Sequence, residues 1–147
     1  MSNQWPGRIF LTIQSNSMDN IQVIQQMYKD FGAGNMQAVL STFDNDVVWI
    51  RPGEPYIPFA GTFVGIEGLA KMFGIISQTV KIKDFHPKQV LGQGDTVVVI
   101  GADEADVIET GKSYLSEWVY VYTLKNKKII HVQVYLDSLL LSEAFKC

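Results

Sequence analysis

Two glutamates, Glu104 and Glu117, offer the most explicit chemistry in the sequence. Between them lies Glu109-Thr110-Gly111-Lys112, a turn signal that separates two runs rich in β-branched and aromatic residues. An even turn centred on Thr110-Gly111 puts Glu104 directly opposite Glu117, with Ile100, Ala102, Val119 and Val121 as neighbours on the same face. Like charges opposed on an apolar face resist joint ionisation, so one carboxyl keeps its proton while the other ionises. That predicts an acid beside a base at neutral pH, with Glu104 and Glu117 as catalytic residues for proton transfer. The alternative is a solvated pair at the open end of the hairpin, or a bulge that separates the two.

The last hairpin adds a second chemical pattern. With Leu124 facing Ile129 across Lys125-Asn126-Lys127-Lys128, alternation puts Trp118, Tyr120, Tyr122, His131, Gln133 and Tyr135 on one face. Ile130, Val132 and Val134 then share the other face with Val119 and Val121. The aliphatic face is expected to pack under helices, with the glutamate pair at its margin. The aromatic face, from Trp118, Tyr120 and Tyr122 to His131 and Tyr135, is expected to form a homodimer interface, since Tyr and Trp combine contact area with a hydrogen-bonding tip. In the reverse assignment these aromatics line a pocket.

Other chemistries find little support. Cys147 is the only cysteine, and His86 and His131 are far apart, so neither a disulfide nor a recognisable metal site is expected, and no cofactor is implied. No glycine-rich phosphate loop or nucleophile-elbow motif is present. A net charge of −3 with scattered lysines argues against nucleic acid as a partner. The short apolar run Ile9 to Ile13 has no cleavage pattern after it, so a cytoplasmic protein with no membrane partner is expected.

The elements that must position these residues follow from periodicity. Residues 1–18 read as a leader, an arm or an added edge strand, with Met18 as an alternative start, and residues 19–147 as one domain. Asp19 with Gln22 resembles a capping box, and Ile21, Ile24, Tyr28 and Phe31 recur on one helical face up to Gly32. Asn35 caps a short second helix bearing Met36, Val39, Leu40 and Phe43. Asp44-Asn45-Asp46 reads as a turn, Val47 to Ile50 as a short strand, and the proline-rich stretch to Gly65 as a loop. Ile66, Leu69, Phe73 and Ile76 mark a third helix. Four strands follow, Val80 to Leu91, Thr96 to Ile108, Ser113 to Leu124 and Ile129 to Leu136, joined by short turns into an antiparallel meander. Helices first and strands afterwards predict an α+β fold with three helices on one face of the sheet.

The joints of these elements carry a family resemblance. Phe31-Gly32-Ala33-Gly34-Asn35, Ala38-Val39-Leu40, Phe43 and Asp46-Val47-Val48-Trp49 resemble the start of nuclear transport factor 2-like, ketosteroid isomerase-like proteins. Phe59-Ala60-Gly61 with Gly65 and Gly68, then Glu117-Trp118-Val119 and Tyr135-Leu136-Asp137, resemble the SnoaL-like branch. The resemblance runs from about Asp19 to the C-terminus. It implies a cone of bent sheet and helices around a pocket, often as a dimer, in a family of isomerases, cyclases, hydrolases and non-enzymatic binders. By spacing, the steroid isomerases' general-base aspartate falls on Arg51 and their oxyanion tyrosine on Met27, next to Tyr28. The glutamate that SnoaL-like relatives often carry before the last tyrosine falls on Val134.

The expected pocket residues are therefore Tyr28, Trp49, Phe59, Phe73, Val134 and Asp137, with Trp49 and Phe59 alternatively simple core and Asp137 alternatively a helix cap. Three functions compete: a cofactor-independent isomerase, cyclase or hydratase acting on a small apolar carbonyl compound, a non-catalytic binder of such a molecule, and an assembly module.

Overall fold

In the computed structural model the described residues are 7–147, with side chains described from residue 18 onward. The first helix, α1 (Gly7–Gly32), already includes residues assigned above to a leader, so Asp19 lies within the helix and not at its start. The first six residues of that leader lie outside the described residues.

Asn35 caps the short helix α2 (Met36–Ser41) by accepting from the Ala38 amide at 3.2 Å. The strand β1 (Phe43–Arg51) begins earlier than expected. Asp44-Asn45-Asp46 lies inside it as an irregularity, with the Asp46 amide bonded to the Asp44 carboxylate at 2.9 Å. The proline-rich loop then ends in a strand that periodicity did not show, β2 (Gly61–Val64). The helix α3 (Gly65–Thr79) buries Leu69 and Met72, and the meander follows as β3 (Val80–Gln93), β4 (Thr96–Val107), β5 (Ser113–Lys125) and β6 (Lys128–Leu136). Asp137 caps the last helix, α4 (Ser138–Phe145), by accepting from the Leu140 amide at 3.0 Å.

The six strands form one sheet in the order β2-β1-β6-β5-β4-β3, with β1 parallel to β6 and every other pair antiparallel. The fold is thus α+β, with a mixed curved sheet and the helices packed on one face. Lys83 and Lys88 fall at register shifts of β3 against β4, which bend the strand and increase its local twist. The core lies between sheet and helices and is built from Ile24, Leu69, Met72, Val97, Val99, Tyr122, Leu124, Ile129 and their neighbours.

Two register expectations change here. Across the β4–β5 turn, Glu104 pairs with Leu115, and Glu117 with Ala102. Gly111 takes a left-handed conformation (φ 73°) at the end of the turn, its amide donating to the Val107 carbonyl, so the turn is centred one residue earlier than the sequence suggested. At the last hairpin Leu124 does face Ile129, but Thr123 faces His131, leaving Ile130 as an extra residue. That bulge sends Trp118, Tyr120 and Tyr122 to one face with Val132, Val134 and Leu136, and His131, Gln133 and Tyr135 to the other.

The two faces also exchange roles. The aromatic residues of β5 lie inward under the helices, while Val98, Ile100, Val119 and Val121 lie on the outer face. Trp118, at 3% exposure, and the buried Tyr122 therefore cannot belong to an outer dimer surface, and Tyr120 points the same way. The physical reason is the curvature: helices standing over a concave sheet leave a gap that the large aromatic rings of β5 span, with Val97, Val99, Val132 and Val134 packed beside them on the same face.

Candidate functional site

The concave face encloses a cavity of about 630 Å³ whose lining is mostly aromatic and aliphatic. Tyr28 from α1, Trp49 from β1, Phe59 from the proline-rich loop and Phe73 from α3 all line it. Val134 is fully buried beside Tyr120 but is packed into the core away from the lining, and Asp137 is an exposed cap. The pocket role expected for these two residues is thus replaced by a packing role and a capping role.

Glu104 and Glu117 lie on the opposite face of the sheet. Glu104 is approached by Lys83 at 3.9 Å, and Glu117 is exposed. They neither oppose each other nor reach the cavity, so the expected dyad is not assembled. Alternation explains this: both share the outward parity of their strands, whichever way the turn is counted.

The one carboxylate in the cavity lining, among the described residues, is Asp103, which the sequence reading missed. It sits on the inward parity of β4, between Phe85 on β3 and Ser116 on β5. Burial pushes its pKa up to about 6, against the pull of the Arg51 guanidinium and the Trp118 indole N–H, both of which favour the ionised form. The buried indole N–H makes no formed hydrogen bond, and its effect on the carboxyl is electrostatic.

Trp118 reaches this place because Gly101 lies opposite it on β4. A Cβ on Gly101 would come within 2.5 Å of the indole and 2.7 Å of the His86 carbonyl oxygen. The missing side chain lets the indole lie across the strand, stacked on Phe85 at 5.2 Å and tilted against Tyr120 at 4.5 Å between centroids.

Arg51 ends β1 and is 4% exposed. Its Nη1 donates to the Phe59 carbonyl oxygen at 3.0 Å and approaches Met72 Sδ at 3.4 Å, while Nη2 donates to the Tyr120 hydroxyl at 3.2 Å. The guanidinium also stands 5.4 Å from the Trp49 ring centroid and 5.2 Å from that of Phe59. The loop supports this arrangement locally: Gly53, at φ 125°, lets the buried Ile57 fold against it, and the Ile57 amide bonds the Gly53 carbonyl. The residues that follow bring Phe59 onto Arg51.

A third polar group closes the α1 side. The hydroxyls of Tyr28 and Tyr122 are 2.6 Å apart, and burial raises both pKa values above the ordinary phenol range. Tyr114 is likewise raised, first by burial and then by the nearby Asp103 charge. At the far end α4 contributes Leu141 to the lining and Phe145 against Phe59 and Tyr114, held by a bond from the Thr110 hydroxyl to the Ala144 carbonyl at 2.7 Å.

The arrangement thus combines a largely aromatic chamber, one carboxylate whose pKa burial pushes up to about 6, and a cationic donor paired with a phenol. It can hold an apolar body, take or give a proton at Asp103, and bind an oxygen near Arg51. Among the described residues there is no cluster of His, Cys, Asp and Glu placed to hold a metal ion. Asp103 was legible in principle, since either register puts it on the aromatic parity once that face is turned inward. Arg51 stood out in the sequence only as a departure from the isomerase pattern.

No curated protein matches the sequence. Among solved structures, a nuclear transport factor 2-like protein from Burkholderia xenovorans LB400 is 29% identical, with a TM-score of 0.81 over 88% of this chain and 98% of that one. TerC, co-crystallised with polyporic acid, is 23% identical with a TM-score of 0.78, covering 88% of this chain and 99% of its own. A Bacillus subtilis protein provisionally titled an isomerase is 18% identical with a TM-score of 0.72, covering 87% and 93%. The last two show a shared fold alone. The model of the SnoaL-like domain matches residues 24–132, a span that begins within α1, ends within β6 and contains Arg51, Asp103, Trp118 and Tyr120, and the chain belongs to the SnoaL-like domain family.

Proposed function

We propose that this protein binds a small, largely apolar carbonyl compound and moves a proton on it without a cofactor, as an isomerase, cyclase or hydratase would. The observation that carries this reading is Asp103, a carboxylate in an aromatic cavity with its pKa pushed up to about 6 by burial. Asp103 takes the role that the sequence reading gave to Glu104 and Glu117. In its ionised form it accepts a proton from a carbon next to the substrate carbonyl. The developing negative charge on the carbonyl oxygen is then met by Arg51 and by the Tyr120 hydroxyl. Because that hydroxyl accepts from Arg51, its own proton is free to be donated. Returning the proton from Asp103 to another carbon completes an isomerisation.

Deuterium exchange at the α-carbons of 2-tetralone, followed by NMR at pH 7, tests the reading. Catalysed exchange that falls by about 10²-fold or more in Asp103→Asn supports it. Saturable binding without catalysed exchange instead supports the second reading, a non-catalytic binder. That alternative is favoured by the absence of a second carboxylate in the cavity lining among the described residues.

The homodimer proposal moves to the outer sheet face, where Val98, Ile100, Val119 and Val121 are only half-buried and Tyr135 is 57% exposed. Sedimentation at high micromolar concentration should give twice the mass of the chain, and a monomer would remove the proposal. No helix among the described residues is long and apolar enough to cross a membrane.

A further inference from the structure

We infer that the ligand of this cavity carries an anionic oxygen group, of carboxylate or acidic-enol type, seated against Arg51, and that its binding drives a proton onto Asp103. The inference rests on the pocket reading and narrows its ligand to a compound with such a group; with that anion bound Asp103 holds the proton and acts as the acid, and the base step described above belongs to the neutral carbonyl form.

The starting point is a buried positive charge whose direct contacts are all neutral: Asp103, the one carboxylate whose ionisation it favours, lies in the same cavity but makes no ion pair with it. Arg51 touches a backbone carbonyl, a thioether, a phenol and two aromatic faces. The ion pairs among the described residues are at Lys83 and Lys146, and none involves Arg51. Removing a guanidinium from water is unfavourable, and dipoles and ring faces offset that only in part. If the position were only structural, a methionine or leucine would fill the same wall without that penalty. The charge has a purpose if a negative group of the ligand completes the site.

Geometry agrees with this. The guanidinium and the Tyr120 hydroxyl form a pair of donors at the cavity wall, the pattern that a carboxylate or enolate oxygen pair accepts. The surrounding rings of Trp49, Phe59 and Trp118 suit a flat apolar body attached to that group.

Proton linkage follows from the other polar groups. The charged and titratable groups facing Asp103 are Arg51 from β1 and Tyr114 from β5, together with the indole N–H of Trp118, while β3 brings the uncharged Phe85. An anion at Arg51 withdraws the single cation that favours ionised Asp103 and adds a like charge. Asp103, already near 6, then binds a proton at neutral pH.

Titration calorimetry with 2-naphthoate and its neutral analogue 2-naphthamide, at pH 7 in two buffers of different ionisation enthalpy, tests the inference. Naphthoate should bind about tenfold or more tightly than naphthamide, as expected of a charge-assisted contact. Its binding should take up close to one proton, falling to about zero in Asp103→Asn. Arg51→Met should reverse the preference for the anion, and Arg51→Lys should keep part of it. Equal affinities in the wild-type protein overturn the inference while naphthamide binding leaves the pocket reading standing. An anion preference that survives in Arg51→Met also overturns it. If Arg51→Met does not fold, the wild-type ratio and the Lys variant decide the matter alone. Failure of both probes at millimolar concentration overturns the pocket reading itself, and this inference with it.

Discussion

Asp103 and Asp106 are the same residue type, three positions apart on β4, and they titrate in opposite directions. Asp103 faces the cavity, and burial lifts its pKa to about 6. Asp106 faces water, accepts from the Ser113 hydroxyl at 2.5 Å and pairs with Lys83 at 3.0 Å, and these contacts lower its pKa. The strand backbone treats the two alike. What separates them is which side of the sheet the helices cover, so the chemistry of a carboxylate here is decided by face and not by residue type.

The largest effect expected from that contrast is on packing. Trp118→Ala, on the inner face, should lower stability by about 3–5 kcal/mol, whereas Glu117→Ala one residue earlier should change it by no more than about 0.5 kcal/mol. Urea denaturation of both variants measures the difference, and similar losses would break the assignment of faces. Gly101→Ala should fall between them, at about 1–3 kcal/mol, because its methyl group must displace both the Trp118 ring and the His86 carbonyl of the neighbouring strand. Near-ultraviolet circular dichroism, which reports that ring's surroundings, should change with it.

The titration contrast gives the next effect. The folded-state pKa of Asp103 lies above its unfolded value of 3.8, so between about pH 4 and pH 6 the folded protein holds a proton that the unfolded chain has released. Its contribution to stability is therefore fully present below about pH 4 and is lost as pH rises through about 6. Asp103→Asn removes that dependence and should raise stability at pH 7 by about 1–3 kcal/mol. Asp106 works in the other direction: its lowered pKa stabilises the fold above the unfolded value, and that stabilisation is lost as pH falls through the folded value. Asp106→Asn should thus cost stability at neutral pH, by a small amount because the group is exposed and screened. Thermal melts of both variants at pH 4 and pH 7 check the two signs, and parallel pH profiles would contradict the contrast.

The smallest effect concerns the outer glutamates. Glu104→Gln and Glu117→Gln should leave naphthoate binding and tetralone exchange unchanged, within about twofold, since neither side chain reaches the cavity. A loss of activity in either variant would restore the outer pair as a catalytic candidate.

Apart from β2 and the early start of α1, the order of elements was fixed by local patterns that tertiary structure had little power to change. Helical spacing in Ile66, Leu69, Phe73 and Ile76, the caps Asn35 and Asp137, and the turns at Gly94, Gly111 and Asn126 give the same elements in sequence and structure. Alternation also sorted Trp118, Tyr120 and Tyr122 from Val119 and Val121. What it could not supply was direction: a period of two separates the faces of a strand without saying which one the helices cover. That choice came from the depth of the space under α1 and α3, which aromatic rings fill. The bulge at Ile130 and the turn shift at Gly111 were equally out of reach, because each moves a register by an amount that depends on backbone pairing with a neighbouring strand. Arg51 and Asp103 line the same cavity although they are distant in sequence and lie on strands that are not neighbours, so only the curved sheet could bring them to one site.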